Sequence, residues 1–546
     1  MLEIDTVVGS TLLVQFSLCT ELIVNTTCGT LIGREFKSRN GRTVAAFNGI
    51  PFAKPPLGKL RFQDPQPSEP WIGVREAYNF GSVCVQIPYG YPPVNTTKMG
   101  NEDCLYLSVC SPNLNPTSQL PVLVYFHGGP FYSGSGEVDK SPEYVLDYDL
   151  VVVMPNFRLG VLVFLTMEDD IMPGNIALKD QVMALVWIQN NIANFGGDPN
   201  QVTLLGDTAG AASVSYHMYS PMSRGLFHRA ISQSGTALSP WANVPLGIAR
   251  RRAIKMAQLF HCPTESSQLI LDCLGTKNAY ELTESYFLIF RIDPFIIFNG
   301  IFDINAANPF LPFNPHDAEP APIPWIAGIT SLEGLIRTAV FVREPETLIV
   351  YDRNFDQIAP VSLFYDNTAP NPEEVTKEIR EYYFDGQPIT MSLFQNLTDL
   401  YSDRMLIWPV IETLQKHSDP HYLYYFDYLG EYSYQEIFAG RRVLQGSADI
   451  DDTIYIWNIK NPFVVGVPTS TQDLYISNLL VKLFYNFASS GEPTSSGIDF
   501  NWPQWDCKQQ NFINIANNGV TLDSSLLQNR MQFWAQLTFR DNVDGN

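Results

Sequence analysis

The run that decides the fold occupies residues 204–210 and reads Leu204-Leu205-Gly206-Asp207-Thr208-Ala209-Gly210. Its leucines end an apolar stretch that predicts a buried strand, and its two glycines allow that strand to turn tightly into a helix. Such a turn holds the central residue in a strained conformation and displays its side chain. Threonine suits this place less well than serine, because a β-branched side chain disfavours positive φ. Taken alone, G-x-T-x-G favours an ordinary strand-to-helix turn.

Strand and helix patterns alternate on both sides of this run. The clearest helix is predicted over residues 176–194, between Pro173-Gly174 and Gly196-Gly197 as start and stop signals. Apolar runs predict buried strands at residues 120–126, 150–155, 201–205, 323–328 and 421–428. This alternation predicts an α/β fold, with a large and mostly parallel central sheet flanked by helices.

Composition limits the function classes. The chain has 546 residues, 34 basic and 56 acidic, and a formal charge of −22. This charge argues against binding to nucleic acid or to anionic membrane surfaces. Because no repeat or linker divides the chain, we expect one domain over residues 20–546.

The first 19 residues are interpreted as an atypical signal peptide. Residues 7–18 are mostly apolar, but Glu3 and Asp5 precede them where lysine or arginine is usual. No segment has the roughly 20 apolar residues that cross a bilayer, so no transmembrane anchor is expected. The sequence therefore predicts a secreted protein.

Cysteines and sequons agree with an extracellular location. None of the eight cysteines stands in a C-x-x-C pair or in zinc-ligand spacing, so no metal site is predicted. Three sequons place candidate glycosylation sites at Asn25, Asn95 and Asn396. In an oxidising compartment the cysteines could pair.

Further motifs accompany the 204–210 run in a fixed order. They are Phe47-Asn48-Gly49-Ile50-Pro51-Phe52-Ala53-Lys54-Pro55-Pro56, Glu102-Asp103-Cys104-Leu105-Tyr106-Leu107, Asn156-Phe157-Arg158-Leu159-Gly160, Phe195-Gly196-Gly197-Asp198-Pro199 and Ala230-Ile231-Ser232-Gln233-Ser234-Gly235. With them the chain, from about Cys28 onward, resembles the type-B carboxylesterase and cholinesterase family of α/β-hydrolases. The resemblance implies that fold, no cofactor, and disulfides joining Cys84 to Cys104 and Cys262 to Cys273.

The resemblance also implies three catalytic positions, and two of them are altered. Thr208 stands at the nucleophile position, and Glu333 in Gly328-Ile329-Thr330-Ser331-Leu332-Glu333-Gly334 stands at the acid position. Asp449 replaces the histidine, and no histidine follows residue 421. With an ordinary pKa near 4, an aspartate is too weak a base to deprotonate an alcohol at neutral pH.

The expected oxyanion hole is altered as well. Residues 127–131 resemble the family's glycine-rich loop and place Gly128, Gly129 and Pro130 where backbone donors are implied. Proline has no N–H, so Pro130 removes one donor, while Gly129 and Ala209 keep theirs. Losing one such donor typically lowers the rate about 10²- to 10³-fold.

These changes predict a secreted, catalytically silent homologue that binds an extracellular protein. The chain then resembles the cholinesterase-like adhesion group, which includes neuroligins, neurotactin and glutactin. Two alternatives stay open: a slow ester hydrolase that uses Thr208, and a carrier that holds a small apolar ligand in the family's gorge. Apolar spacing over residues 526–539 fits a homodimer contact and fits packing on its own domain equally well.

Overall fold

The strand that leads into Thr208 lies in the middle of an 11-stranded mixed sheet. The computed structural model describes residues 22–87, 99–136, 139–285, 298–460 and 466–539. Its strands are β1 (Ile23–Thr26), β2 (Gly29–Ile32), β3 (Arg34–Lys37), β4 (Thr43–Pro51), β5 (Val74–Glu76), β6 (Tyr106–Ser111), β7 (Leu120–Phe126), β8 (Lys140–Ser141), β9 (Val151–Pro155), β10 (Gly197–Asp207), β11 (Arg229–Gln233), β12 (Trp325–Thr330), β13 (His421–Asp427), β14 (Asn458–Ile459), β15 (Asn511–Ala516) and β16 (Gly519–Ser524).

The sheet is parallel at its centre and antiparallel at its edges. Its order is β16-β15-β13-β12-β11-β10-β7-β9-β6-β4-β3. Every pair from β15 to β9 is parallel, whereas β16, β6, β4 and β3 join antiparallel. Because the central strands run the same way, their carboxyl ends meet at one edge, beside Thr208 and Glu333. The predicted fold class is confirmed.

Helices connect and cover these strands. They are α1 (Val161–Phe164), α2 (Ile176–Asn191), α3 (Ala209–Tyr219), α4 (Ile248–Leu259), α5 (Ser267–Gly275), α6 (Ala279–Glu284), α7 (Leu335–Arg343), α8 (Pro345–Arg353), α9 (Phe355–Ser362), α10 (Pro372–Phe384), α11 (Phe394–Ser402), α12 (Trp408–Lys416), α13 (Tyr434–Ala439), α14 (Thr471–Ser490) and α15 (Gln528–Gln536). No helix of the described residues is long and apolar enough to cross a membrane.

Two disulfides cross-link segments outside the strands. They join Cys84 to Cys104 and Cys262 to Cys273, as the resemblance implies. The second links the turn after α4 to α5. Asn25 and Asn396 have exposed side chains, while Asn95 and residues 1–19 lie outside the described residues. The division into a leader and one domain stays a prediction.

Candidate active site

Thr208 occupies a strained turn between β10 and α3. Its backbone has φ 49° and ψ −113°, a region that β-branched residues rarely enter. A Cβ on Gly206 would lie 2.3 Å from the carbonyl carbon of Gly210. A Cβ on Gly210 would lie 2.1 Å from the Phe126 oxygen. Both glycines are therefore needed for the helix to pack this closely against the sheet.

The Thr208 hydroxyl faces the glycine-rich loop that follows β7. Thr208 is half-buried, and its Oγ1 accepts a hydrogen bond of 3.1 Å from the Gly129 N–H. Ala209 opens α3, so its N–H has no partner within the helix. Pro130 offers no donor. The Gly129 N–H therefore bonds to this hydroxyl, and the Ala209 N–H is a second backbone donor at the same turn.

Gly128 packs against the turn, next to Asp207 and Thr208. A Cβ there would lie 2.2 Å from Asp207 Oδ2 and 2.7 Å from Thr208 Oγ1. These two oxygens are therefore neighbours, and no side chain fits between them and the loop. Gly128 contributes close packing, and the structure shows no hydrogen bond from its N–H to Thr208.

Glu333 and Asp449 lie together on adjacent loops. Glu333 stands between β12 and α7, and Asp449 precedes the 3₁₀ turn Asp451–Tyr455. A β-bridge between Leu332 and Ala448 joins the loops, and both carboxyls are buried. Glu333 Oε1 accepts hydrogen bonds of 2.7 Å from the Thr330 N–H and of 2.7 Å from the Ser234 hydroxyl.

One oxygen of each of these two carboxyls accepts no hydrogen bond from the described residues. Glu333 Oε2 and Asp449 Oδ1 are buried, and no donor among the described residues bonds to either. Burial raises the pKa of Glu333 to about 7. Burial, and then the charge of Glu333, raises the pKa of Asp449 well above its ordinary range. The sequence-based premise that Asp449 keeps an ordinary pKa is wrong, because it ignored burial beside a second carboxyl.

A buried ion pair lies beneath the turn. Asp207 Oδ1 accepts a hydrogen bond of 2.6 Å from the Tyr125 hydroxyl and lies 2.8 Å from Lys140 Nζ. The Asp207 and Lys140 side chains are only 3% and 9% exposed, so this pair is held away from solvent. Sequence reasoning missed both residues. The only sequence signal was the position of Asp207 beside Thr208, since Lys140 lies far away along the chain.

A second buried aspartate faces the same region. Asp452 Oδ2 accepts hydrogen bonds of 2.5 Å from the Tyr424 hydroxyl and of 2.9 Å from Gln233 Nε2. Burial raises its pKa as well. The aspartates clustered in residues 449–452 were visible in the sequence, but their burial was not.

The histidines form no hydrogen bond that could activate Thr208. All seven histidines lie within the described ranges, and none of them is hydrogen-bonded to Thr208. His127 stacks on Phe157 at 4.1 Å between ring centroids, and burial lowers its pKa to about 4. His217 is held by Ser223 and Gln181. Any proton acceptor for Thr208 within the described chain must therefore be something other than imidazole.

Comparisons with known proteins show the family of this chain. The carboxylesterase family model matches residues 20–534. Juvenile hormone esterase of Tribolium castaneum is 35% identical over 95% of this chain and 94% of its own. A carboxylic ester hydrolase of Bombus ignitus is 35% identical over 95% of this chain and 94% of its own. Esterase FE4 of Myzus persicae is 36% identical over 91% of this chain and 92% of its own.

These relatives correct two predictions. The interpretation of the chain as catalytically silent, and as a binding protein of the adhesion type, is wrong: proteins that align over nearly its whole length are named as ester hydrolases. Its chemical argument assumed an ordinary pKa for Asp449, whereas burial raises that pKa.

Proposed function

The chain belongs to the carboxylesterase family, and on this premise we propose that it hydrolyses carboxylic esters slowly, with Thr208 as the nucleophile. The observation that carries the proposal is the 3.1 Å hydrogen bond from the Gly129 N–H to Thr208 Oγ1. A half-buried hydroxyl on a strained turn, bonded to a backbone N–H, supplies the nucleophile and one oxyanion donor of an acyl-transfer site.

The proposed mechanism uses the Thr208 hydroxyl and the backbone donors near it. Thr208 Oγ1 attacks the ester carbonyl carbon, and the developing oxyanion accepts hydrogen bonds from the N–H groups of Gly129 and Ala209. The proton of the Thr208 hydroxyl ends on the substrate's alkoxide oxygen, which leaves as the alcohol. Water then adds to the acyl-threonine ester, which releases the carboxylic acid and restores the Thr208 hydroxyl. Pro130 removes a third donor, which lowers the rate about 10²- to 10³-fold. The β-branched Thr208 slows attack further, so we expect turnover well below that of a serine esterase.

The test is hydrolysis of short p-nitrophenyl esters by the purified protein. Turnover should be slow and saturable, and Thr208→Ala should reduce it to background while leaving the thermal melt intact. A fluorophosphonate probe should label the peptide that contains Thr208. Equal turnover by Thr208→Ala, or a folded protein with neither turnover nor label, would contradict the proposal.

Secretion is proposed on separate grounds. The two disulfides and the exposed Asn25 and Asn396 suit an oxidising compartment. One relative, 33% identical over 95% of this chain, is named venom carboxylesterase-6 of Apis mellifera. Expression in insect cells should deliver the protein to the medium, and glycosidase treatment should reduce its mass; retention inside the cell would argue against secretion. A homodimer and an apolar ligand near Thr208 stay predictions.

A further inference from the structure

We propose that a cavity beside the segment 238–248 binds a small neutral alcohol, whose hydroxyl donates a hydrogen bond to Asn299 Oδ1. Residues of this segment, which joins β11 to α4, line the cavity together with Asn299, Phe302 and residues 364–368 after α9. The cavity has a volume of about 40 Å³. Ester hydrolysis at Thr208 does not require this site, so the inference goes beyond the proposed function.

The size and the apolar walls of the cavity favour an organic ligand over water. Leu238, Val244 and Phe302 are buried in its wall, and Ile248 and Phe364 are half-buried there. The volume would hold about three waters, at roughly 10–15 Å³ each, but waters against apolar side chains lack hydrogen-bond partners. An alkyl group replaces such poorly bonded waters favourably. The cavity therefore suits a ligand of about four heavy atoms.

Asn299 supplies the polar end of the site. This residue is only 1% exposed, and it lines the cavity. Its Nδ2 donates a hydrogen bond to the Trp241 carbonyl, which fixes the orientation of the amide. Its Oδ1 is buried and accepts no hydrogen bond from the described residues. Because a buried acceptor without a donor is costly, this oxygen favours a ligand that carries a hydrogen-bond donor.

Two further polar side chains of the wall already have partners. The Asn243 amide donates to a backbone carbonyl and accepts a hydrogen bond of 2.7 Å from the Tyr216 hydroxyl. The Thr368 hydroxyl donates a hydrogen bond of 3.3 Å to another backbone carbonyl. Neither side chain adds an unpaired acceptor, so a ligand with a single donor for Asn299 is sufficient.

The acidic groups at the cavity have basic partners. Arg252 and Asp366 both line it, and the positive charge of Arg252 favours the ionised form of Asp366. His316 also lines the cavity, and its Nδ1 lies 3.1 Å from Glu412 Oε1. An ammonium ion would therefore gain no uncompensated carboxylate among these groups, while it would lose its hydration. A neutral hydroxyl suits the site better.

Trp241 connects the cavity to the Thr208 turn. Its carbonyl accepts the hydrogen bond from Asn299, and its ring lies 3.1 Å from the point where a Gly235 Cβ would sit. The same point is 3.0 Å from the Thr208 carbonyl oxygen. Thr208 itself is not among the described residues that line the cavity. The alcohol site is therefore near the turn but distinct from its hydroxyl.

The first test compares propan-2-ol with acetone on the native protein. The two molecules have the same number of heavy atoms, but only the alcohol can donate a hydrogen bond. Saturation-transfer NMR should show saturable binding of propan-2-ol with a Kd of roughly millimolar size, because the ligand is small. Acetone should bind about 10-fold more weakly, since its oxygen cannot donate to Asn299 Oδ1. Equal affinities, or tighter binding of isopropylammonium, would overturn the proposal.

The second test locates the site with variants. Ile248→Phe adds volume to the wall and should abolish binding of propan-2-ol. Asn299→Leu removes the acceptor at similar volume, so propan-2-ol should then bind as weakly as acetone. Thr208→Ala is the control, because it leaves the cavity unchanged and should retain binding.

Thermal melts show whether each variant is folded. If Asn299→Leu does not fold, the comparison of the two ligands and the Ile248→Phe variant still decide the question. Undiminished binding by folded Ile248→Phe, or loss of binding in Thr208→Ala, would place the alcohol elsewhere and overturn the inference. Esterase activity is a separate measurement, so failure of the proposed function would leave these outcomes unchanged.

Discussion

At the residue scale, Thr208 combines two opposing requirements. The turn needs φ 49° at this position, and a β-branched side chain tolerates that conformation poorly. The same turn presents the hydroxyl to Gly129. Threonine therefore keeps the geometry of the site but adds backbone strain and crowding at the reacting oxygen.

Thr208→Ser should relieve both effects. Serine keeps the hydroxyl, loses the methyl group and adapts more easily to positive φ, so we expect about 1 kcal/mol of added stability. Turnover of short esters should rise about 10-fold or more if crowding at Oγ1 limits attack. Urea unfolding and ester kinetics measure the two effects separately. A less stable serine variant would show that the threonine methyl group contributes more through packing than it costs in strain.

Gly128 provides a second prediction at this scale. Gly128→Ala would place a Cβ 2.2 Å from Asp207 Oδ2, so the loop or the aspartate must move. We expect a loss of about 1–3 kcal/mol in unfolding free energy and a loss of turnover. Gly275→Ala is the matched control, because nothing lies within 4 Å of a Cβ there. Equal stability of the two variants would contradict the close packing described for this turn.

At the element scale, local patterns predicted five of the seven parallel central strands, β7, β9, β10, β12 and β13. Residues 120–126 form β7 (Leu120–Phe126) as predicted, because a continuous apolar run has little alternative to a buried strand. The predicted strand 201–205 is longer, as β10 (Gly197–Asp207), because Gly197 pairs with Leu120 before the apolar run begins. The predicted helix 176–194 ends at Asn191 and continues as the 3₁₀ turn Ile192–Phe195.

The chemistry of the site was harder to predict from local patterns. Motif positions named Thr208, Glu333 and Asp449, but the pKa of Asp449 depends on burial and on Glu333, which lies 116 residues away along the chain. The Lys140–Asp207 ion pair likewise joins β8 to β10. Tertiary contacts set these properties, and a local sequence window does not contain them.

The disulfide that follows α4 gives a prediction about elements. Replacing Cys262 and Cys273 together by serine opens a loop with a sequence separation of 11. Freeing that loop adds conformational entropy to the unfolded chain and should lower the unfolding free energy by roughly 3 kcal/mol. Urea unfolding under non-reducing conditions measures the difference. Cys507→Ser, at an exposed cysteine, should leave stability unchanged.

At the scale of the whole molecule, acidic residues outnumber basic ones, and several of them are buried. The chain has a formal charge of −22, and several of its carboxyls are buried near Thr208. Burial raises the pKa of Glu333 and of Asp451 to about 7 and that of Asp139 to about 6. In the unfolded chain these groups return to about 4. These three carboxyls therefore bind more protons in the folded protein than in the unfolded chain between these values.

Stability should consequently fall as pH rises through this window. A raised folded-state pKa gives stability that is complete below the unfolded value and lost as pH passes the folded value. We therefore expect these carboxyls to lower the unfolding free energy between pH 5 and pH 7.5, by about 1.4 kcal/mol per pH unit for each extra proton bound. Buried histidines such as His127, whose pKa is lowered to about 4, act in the opposite direction up to about pH 6.5, so the decrease should be clearest above that pH. Repulsion among exposed acids acts in the same direction, but salt screens it. The pH dependence of the unfolding free energy that remains in high salt is the contribution of the buried groups.

Asp449→Asn tests how much Glu333 and Asp449 contribute to this pH dependence of stability. The asparagine amide can donate to Glu333 Oε2, which otherwise has no donor among the described residues, and it adds no charge. The variant also lacks the Asp449 carboxyl, whose own pKa is raised by burial, so proton uptake on folding should decrease. We expect the variant to have a higher unfolding free energy than the native protein at pH 7.5 and a similar one at pH 5. Its unfolding free energy should therefore change less with pH. Urea titrations at several pH values in high salt make this comparison, with Glu346→Gln as the exposed control. Parallel curves for the native protein and Asp449→Asn would mean that Asp449 takes up no proton on folding. Stability that rises with pH above about pH 6.5 would contradict the raised pKa values of the carboxyls.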